Sequence, residues 1–373
     1  MQYFEKYVSN SVAGTSVQHT FTVEKGERYT GRVFYKIACG GEYEYSLLFS
    51  NITDGTFSDG NISHRNMVCD PWTIHAARVG RCAHEAIGSD FEEPDAARAI
   101  NERVTDWHDL MFGGYPEKRV APGEFFCTDG FRMAFEKGEY LCLELTFSGT
   151  LLPYMEELQI PAYRLVDGEW VYNKQLPLAG MVGCDRKVKA RIGFLGDSIT
   201  QGIGPAKNSY AHWCALLSEK IGDDYAYWNL GIGCARINDI AEDGAWLYKA
   251  KHNDIVFLCA GTNDTWRRYP CDGIIRDWNK TVDYLKAKNI TVIAQTVPPF
   301  HYGGDPLQTW LTVNEYIKTE LAPKVDFVFD EVPLLWRSPE APSLTKYGAH
   351  PNEEGCAMWA DALYAALSET DLF

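Results

Sequence analysis

Apolar and polar positions change their rhythm near the middle of the chain. In the first half, short segments alternate. Along residues 29–37, Val33, Tyr35 and Ile37 fall on one side and Arg32, Phe34 and Lys36 on the other, the two-residue period of a half-buried strand. Residues 19–23, 43–51 and 140–147 repeat this pattern, with turn signals such as Glu24-Lys25-Gly26-Glu27 and Glu136-Lys137-Gly138-Glu139 between strands. Residues 163–166 and 169–172 flank Asp167-Gly168, the dipeptide of a tight hairpin turn. Short strands with frequent turns predict an all-β sandwich or jelly roll over residues 1–185. Residues 84–110 depart from the pattern: they are charged and helix-compatible, with Pro94 at a first turn, and read as an insertion or long loop.

From Lys187 onward, near-continuous apolar runs at residues 190–195, 225–230, 254–259, 290–296 and 327–330 alternate with amphipathic segments. The latter cover residues 210–221, 237–249, 274–288, 309–321 and 353–367. Strands apolar on both sides, each followed by a helix, predict a parallel sheet covered on both faces. The change of rhythm puts a domain boundary near residues 180–189, giving an α/β domain over 186–373. A length of 373 residues suits two domains.

Charge and cysteine content narrow the partners. A formal charge of −16 argues against nucleic acid and anionic membrane surfaces and is compatible with a neutral polar substrate. Eleven cysteines occur singly, without a C-x-x-C pair, so zinc ribbons and dithiol redox motifs have no support. Several lie inside apolar runs, as buried thiols of a reducing compartment would. The start, Met1-Gln2-Tyr3-Phe4-Glu5-Lys6, lacks the basic-then-apolar pattern of a signal peptide. No apolar stretch approaches the ~20 residues of a membrane-spanning helix. The expectation is a cytoplasmic protein. His64, His75, His84 and His108 lack metal-ligand spacing, and no metal or cofactor is expected.

Three polar clusters follow strands of the second half: Gly196-Asp197-Ser198, then Asn229-Leu230-Gly231-Ile232-Gly233-Cys234, then Gly261-Thr262-Asn263-Asp264. In a parallel sheet these strand ends share one edge, where ligands collect. A fourth segment, His350-Pro351-Asn352-Glu353-Glu354-Gly355, precedes the last helix and supplies a base. Taken alone, Ser198 reads as a helix N-cap. Asp197 and Asp264 read as turn-binding or capping carboxylates, and Thr262 and Gly261 as turn formers. Together the four clusters permit acyl transfer. Serine becomes a nucleophile when an imidazole takes its proton, and backbone N–H groups beside glycines with an Asn amide suit the oxyanion. His212, His252 and His301 lack a surrounding motif. Trp72 and Trp107 in N-terminal loops, and Trp266, Trp310 and Trp336 near C-terminal strands, are core residues or sugar-stacking rings.

The four segments, in this order, resemble the blocks of the SGNH/GDSL hydrolase superfamily, over residues 190–367. The resemblance implies a flavodoxin-like α/β/α sandwich and ester hydrolysis through an acyl-enzyme without a metal or organic cofactor. It implies Ser198 as nucleophile and oxyanion donor, Cys234 (or Gly233) and Asn263 as further oxyanion donors, and His350 as base. Two positions depart from the pattern. Cys234 stands where the superfamily usually has glycine, and Tyr347 stands where the acidic triad member usually lies, three residues before the histidine. Tyr347, Asp330 and Glu353 are the candidates to orient His350. A Ser–His dyad is the preferred expectation, as in superfamily members that deacetylate carbohydrates, some of which also carry an N-terminal β-sandwich. The expected function is therefore removal of a short acyl group, acetyl first, from a carbohydrate. Alternatives are a lipase or lysophospholipase and a catalytically impaired carbohydrate-binding protein.

Overall fold

A computed structural model describes residues 2–55, 65–336, 344–346 and 350–373. His64 and Tyr347 lie outside the described residues. The chain divides into two compact units, one of residues 1–54, 66–187 and 207–209 and one of residues 55–65, 188–206 and 210–373.

The first unit contains two main antiparallel sheets. The larger runs in the order Glu169–Tyr172, Ala162–Val166, Tyr29–Lys36, Tyr140–Ser148, Trp72–Cys82 and Thr105–Asp109, with Lys118–Val120 also pairing Trp72–Cys82. Leu143 sits opposite Val33 on one neighbour and Val79 on the other. The smaller sheet joins Val8–Ser9, Met181–Cys184, Gly41–Ser50 and Phe125–Cys127, with Phe131–Phe135 on Gly41–Ser50. Trp72 of the larger sheet meets Phe126 of the smaller with ring centroids 6.0 Å apart. Trp72 is therefore a buried strand residue whose Nε1 donates to Asn51 Oδ1, and Trp107 lies in the strand Thr105–Asp109; neither is in a loop.

Residues 84–110 are more than a loop. Helix Pro94–Glu102 and its flanks supply Phe91, Ala97, Ile100 and Val104 to a cluster with Phe34, Cys82, Tyr140, Cys142 and Tyr163. This cover explains why Phe34, on the expected polar side of its strand, is buried. Its neighbour Arg32 is buried as well and is held by charge-assisted bonds. Nε donates to Glu144 Oε2 at 2.7 Å and a terminal nitrogen to the Asn101 carbonyl at 3.0 Å, with the Trp170 ring 4.0 Å from the guanidinium carbon.

The second unit is built on a five-stranded parallel sheet: β1 (Arg191–Gly196), β2 (Ala226–Asn229), β3 (Ile255–Cys259), β4 (Thr291–Gln295) and β5 (Phe327–Phe329). The strand order is 2-1-3-4-5, so the topological switch falls between β1 and β3, where open α/β sheets hold their ligands. Every residue of β2 and β3 is buried, which requires helices on both faces. One helix layer pairs α2 (Trp213–Ile221) with α9 (Glu353–Ser368), where Trp213 and Trp359 stack at 5.1 Å. The other groups α3 (Ile237–Ala241), α6 (Cys271–Lys286) and α7 (Asp305–Tyr316).

Two expected helices differ. Residues 237–249 form two helices, α3 and α4 (Ala245–Ala250), because Asp243 takes a left-handed φ of 51° ahead of Gly244, and Asp tolerates that conformation better than most residues. Residues 309–321 begin in α7 but end as the π-helical turn Ile317–Leu321. All eleven cysteines are thiols. No described helix is long and apolar enough to cross a membrane.

Candidate active site

Strand β1 ends at Gly196, where a Cβ would come within 2.2 Å of the Cys259 carbonyl oxygen and 2.3 Å of Thr200 Oγ1. Only glycine lets β1 turn this closely beside β3. Asp197 follows, and its Oδ1 accepts from the Ile199 N–H at 3.0 Å, capping the one-turn helix α1 (Ser198–Gln201). Capping thus falls to Asp197, as expected of a turn-binding carboxylate, and the Ser198 side chain points elsewhere. Ser198 Oγ lies 2.7 Å from His350 Nε2. A serine hydroxyl bonded to an imidazole is the arrangement in which the ring can take the hydroxyl proton as oxygen attacks.

The second cluster packs directly over α1. Asn229, fully buried at the end of β2, donates through Nδ2 to the Thr200 carbonyl at 3.0 Å and accepts from the Gly231 N–H at 2.8 Å. Gly231 touches the α1 backbone so closely that a Cβ would lie 2.1 Å from Gln201 N. Gly233 is buried and Cys234 half-buried in the following turn. Cys234 has φ 59°, the left-handed conformation that favours glycine. The cysteine therefore holds a backbone conformation that glycine adopts at less cost.

The third cluster opens the short helix α5 (Thr262–Trp266) after β3. Asn263 Nδ2 donates one hydrogen bond to the Ala235 carbonyl at 2.9 Å, which fixes the amide plane. A primary amide has two such donors. Its neighbour Asp264 was expected as a cap, and it caps a different helix from the one it sits in. Oδ2 accepts from the Ile237 N–H at 2.9 Å at the start of α3. Adjacent side chains of one turn thus hold both ends of the segment 235–237. Burial first, then repulsion from Asp239, push the Asp264 carboxyl up from 3.8 to about 7, against the Ile237 N–H and Arg236.

His350 belongs to a pair of two-residue antiparallel strands, β6 (Thr345–Lys346) and β7 (His350–Pro351), in which Lys346 and His350 are paired. Asn352 then caps α9 by accepting from the Gly355 N–H at 2.9 Å. The Phe300 ring meets the imidazole edge-on at 5.3 Å. Of the candidates to orient His350, Asp330 is engaged elsewhere: Oδ1 accepts from Thr296 Oγ1 at 3.0 Å and from the Val332 N–H, and Oδ2 lies 3.6 Å from Lys318 Nζ. Glu353, at the first position of α9, accepts from the Ala206 N–H at 2.9 Å. Tyr347 is not among the described residues.

Other aromatic and imidazole groups divide clearly. His212 is buried, accepts from the Ala215 N–H as the cap of α2, and is lowered to about 4 by burial. His252 is likewise lowered to about 4, chiefly by burial. Trp310 is core, with Nε1 donating to the Val297 carbonyl, and the more exposed Trp336 packs against it, tilted, with ring centroids 4.6 Å apart. Trp266 is 51% exposed and edge-on to Phe300 at 5.6 Å. It therefore continues an aromatic surface that begins at the His350 ring.

The model of the GDSL-like lipase/acylhydrolase family matches residues 194–358. No curated protein matches the chain. Among solved structures, a lipolytic protein of the G-D-S-L family from Desulfitobacterium hafniense DCB-2 is 19% identical, covering 48% of this chain and 99% of its own, with a TM-score of 0.42. A family two carbohydrate esterase from Clostridium thermocellum, solved with cellohexaose, is 12% identical over 97% of this chain and 98% of its own, with a TM-score of 0.42. A carbohydrate esterase family 3 protein from Talaromyces cellulolyticus is 20% identical over 48% and 96%, with a TM-score of 0.37. The matched stretch runs from β1 to α9 and so carries Ser198, Cys234, Asn263 and His350 together. The match of residues 194–358 to the GDSL-like lipase/acylhydrolase family supports a carboxylic ester hydrolase.

Proposed function

We propose that the chain is a serine esterase that removes a short acyl group, acetyl first, from a carbohydrate. The observation that carries the reading is the 2.7 Å hydrogen bond between Ser198 Oγ and His350 Nε2, with the Asn263 amide anchored on the same sheet edge. His350 Nε2 takes the hydroxyl proton as Ser198 Oγ attacks the ester carbonyl. The negative charge moves to the carbonyl oxygen, where the N–H groups of Ser198 and Cys234 and the second Asn263 N–H receive it. One such donor contributes ~100–1,000-fold in rate. Collapse expels the sugar alkoxide, which takes the proton from His350, and leaves Ser198 acylated. The imidazole then deprotonates a water that attacks the acyl-enzyme, releasing the acid and restoring Ser198.

A Ser–His dyad is the preferred form of the pair, and the Asp330 carboxylate is engaged by Thr296, Val332 and Lys318. The aromatic surface of Trp266 and Phe300 beside His350 suits the apolar face of a sugar ring. A neutral sugar ester also avoids repulsion from a chain of net charge −16. The first unit is read as the jelly-roll form of the β-sandwich. A serine-reactive phosphonate and an aryl acetate test the proposal. Wild type should be labelled at Ser198 and should hydrolyse the ester, and S198A should do neither. A wild-type protein inert to both reagents refutes it.

A further inference from the structure

The segments that follow Ser198 and His350 are fastened to each other a few residues beyond the pair. After Ser198, its carbonyl accepts from the N–H groups of Gly202 at 3.1 Å and Ile203 at 2.9 Å, so the chain leaves α1 in a fixed direction. Gly204 then lies against the histidine strand. It has φ 126°, and a Cβ there would sit 2.1 Å from the Pro351 carbonyl oxygen and 3.4 Å from the His350 Cβ. Two residues later the Ala206 N–H donates to Glu353 Oε1 at 2.9 Å. From the other side, Asn352 is held by its N–H to the Leu344 carbonyl at 2.7 Å and by its cap of α9.

We propose that Glu353 is a positioning residue that sets the Ser198–His350 geometry through the backbone, by clamping Ala206 beside the start of α9. The inference rests on the esterase reading for its kinetic consequence, though not for the contact itself. The role proposed for the carboxylate is that of a hydrogen-bond acceptor at a fixed place, distinct from that of an anion stabilising imidazolium. That distinction makes a sharp prediction, because a glutamine carbonyl oxygen accepts from the same N–H without carrying charge. Loss of the clamp leaves both reacting groups present but lets their separation drift, and misplacement on the ångström scale is costly in rate.

The test compares E353A and E353Q on an aryl acetate, alongside amide hydrogen exchange at Ala206. E353A should lose about tenfold in kcat, the equivalent of ~1.4 kcal/mol, with KM changed less than about twofold. E353Q should recover most of that rate, and the pH midpoint of kcat/KM should match wild type in both variants. Exchange at Ala206 should be slow in wild type and E353Q and fast in E353A. The proposal is overturned if E353A keeps the wild-type kcat, or if E353Q falls as far as E353A. A kcat/KM midpoint moved to lower pH in E353Q also overturns it, because it marks Glu353 as the charge partner of the imidazole. If wild type is inert the esterase reading falls, and the exchange comparison still judges the clamp. Should E353A fail to fold, E353Q and the wild-type exchange rate decide.

Discussion

Replacing Asp264 with asparagine should stabilise the second unit at neutral and higher pH and not in acid. Asp264 is fully buried between β3 and the start of α3. Burial, reinforced by Asp239, raises its carboxyl from 3.8 to about 7. Below pH 3.8 both folded and unfolded chains hold the proton, and the residue's contribution to stability is fully present. As pH rises from 3.8 towards 7 the unfolded chain ionises while the folded one does not, and stability falls. At 1.36 kcal/mol per pH unit the accumulated loss is ~4 kcal/mol, with no further change above pH 7. In D264N the amide oxygen still accepts from the Ile237 N–H and nothing titrates. Its NH2 lies where Asp264 Oδ1 now has no hydrogen-bond partner, which takes back ~1–3 kcal/mol. The net expectation is a deficit of about 0.5–2.5 kcal/mol at pH 4, turning into a gain of about 1–3 kcal/mol at pH 8. Urea unfolding followed by tryptophan fluorescence across pH 4–8 measures it. An equal difference at both ends of the range, or a D264N protein less stable at pH 8, refutes the reasoning.

Three further outcomes follow from the site. D330N should keep kcat within about twofold of wild type while H350A loses ~1,000-fold or more, measured on an aryl acetate; a large loss in D330N would make that carboxylate the imidazole's partner. C234G should retain the rate, because the donor is a backbone N–H. Relief of the left-handed cysteine, φ 59°, should outweigh the added freedom of the unfolded chain by at most ~1 kcal/mol in chemical denaturation; a tenfold fall in kcat would implicate the thiol. W266A should raise KM for an acetylated sugar about 3–10-fold and leave KM for an aryl acetate nearly unchanged. Equal effects on both substrates would remove Trp266 from the sugar side of the site.

Ser198 and Asn263 are legible in the sequence as candidate site residues because each follows closely on an apolar run. A polar residue at the carboxyl end of a buried parallel strand has to face the sheet edge, so Ser198 and Asn263 could be placed on one edge from their strands alone. What holds them was harder to see. Asp264 looked like a local cap and is instead bonded to Ile237, 27 residues earlier, a partner set by how β3 lies beside the loop after β2. Gly204 carries no signal of its own, since its need for glycine comes from the Pro351 carbonyl brought against it by the fold. Alternation along residues 29–37 placed Arg32 and Phe34 on an outer face, and both are buried. Helix Pro94–Glu102, from a stretch that resembled a loop, supplies the cover. The break at Asp243-Gly244 was visible as a dipeptide but competed with a good amphipathic pattern on both sides.

Ser198 and His350 are mounted on supports of unequal strength. Ser198 follows β1, which is flanked by β2 and β3 in the interior of the sheet, whereas His350 sits in a strand pairing of two residue pairs among the described residues. Short two-stranded pairings have little stability of their own, and local openings draw on the weakest elements first. Under mild heat or denaturant the imidazole should part from the hydroxyl while the sheet is still intact. Inactivation would then begin as a reversible loss of partnership, ahead of any loss of fold.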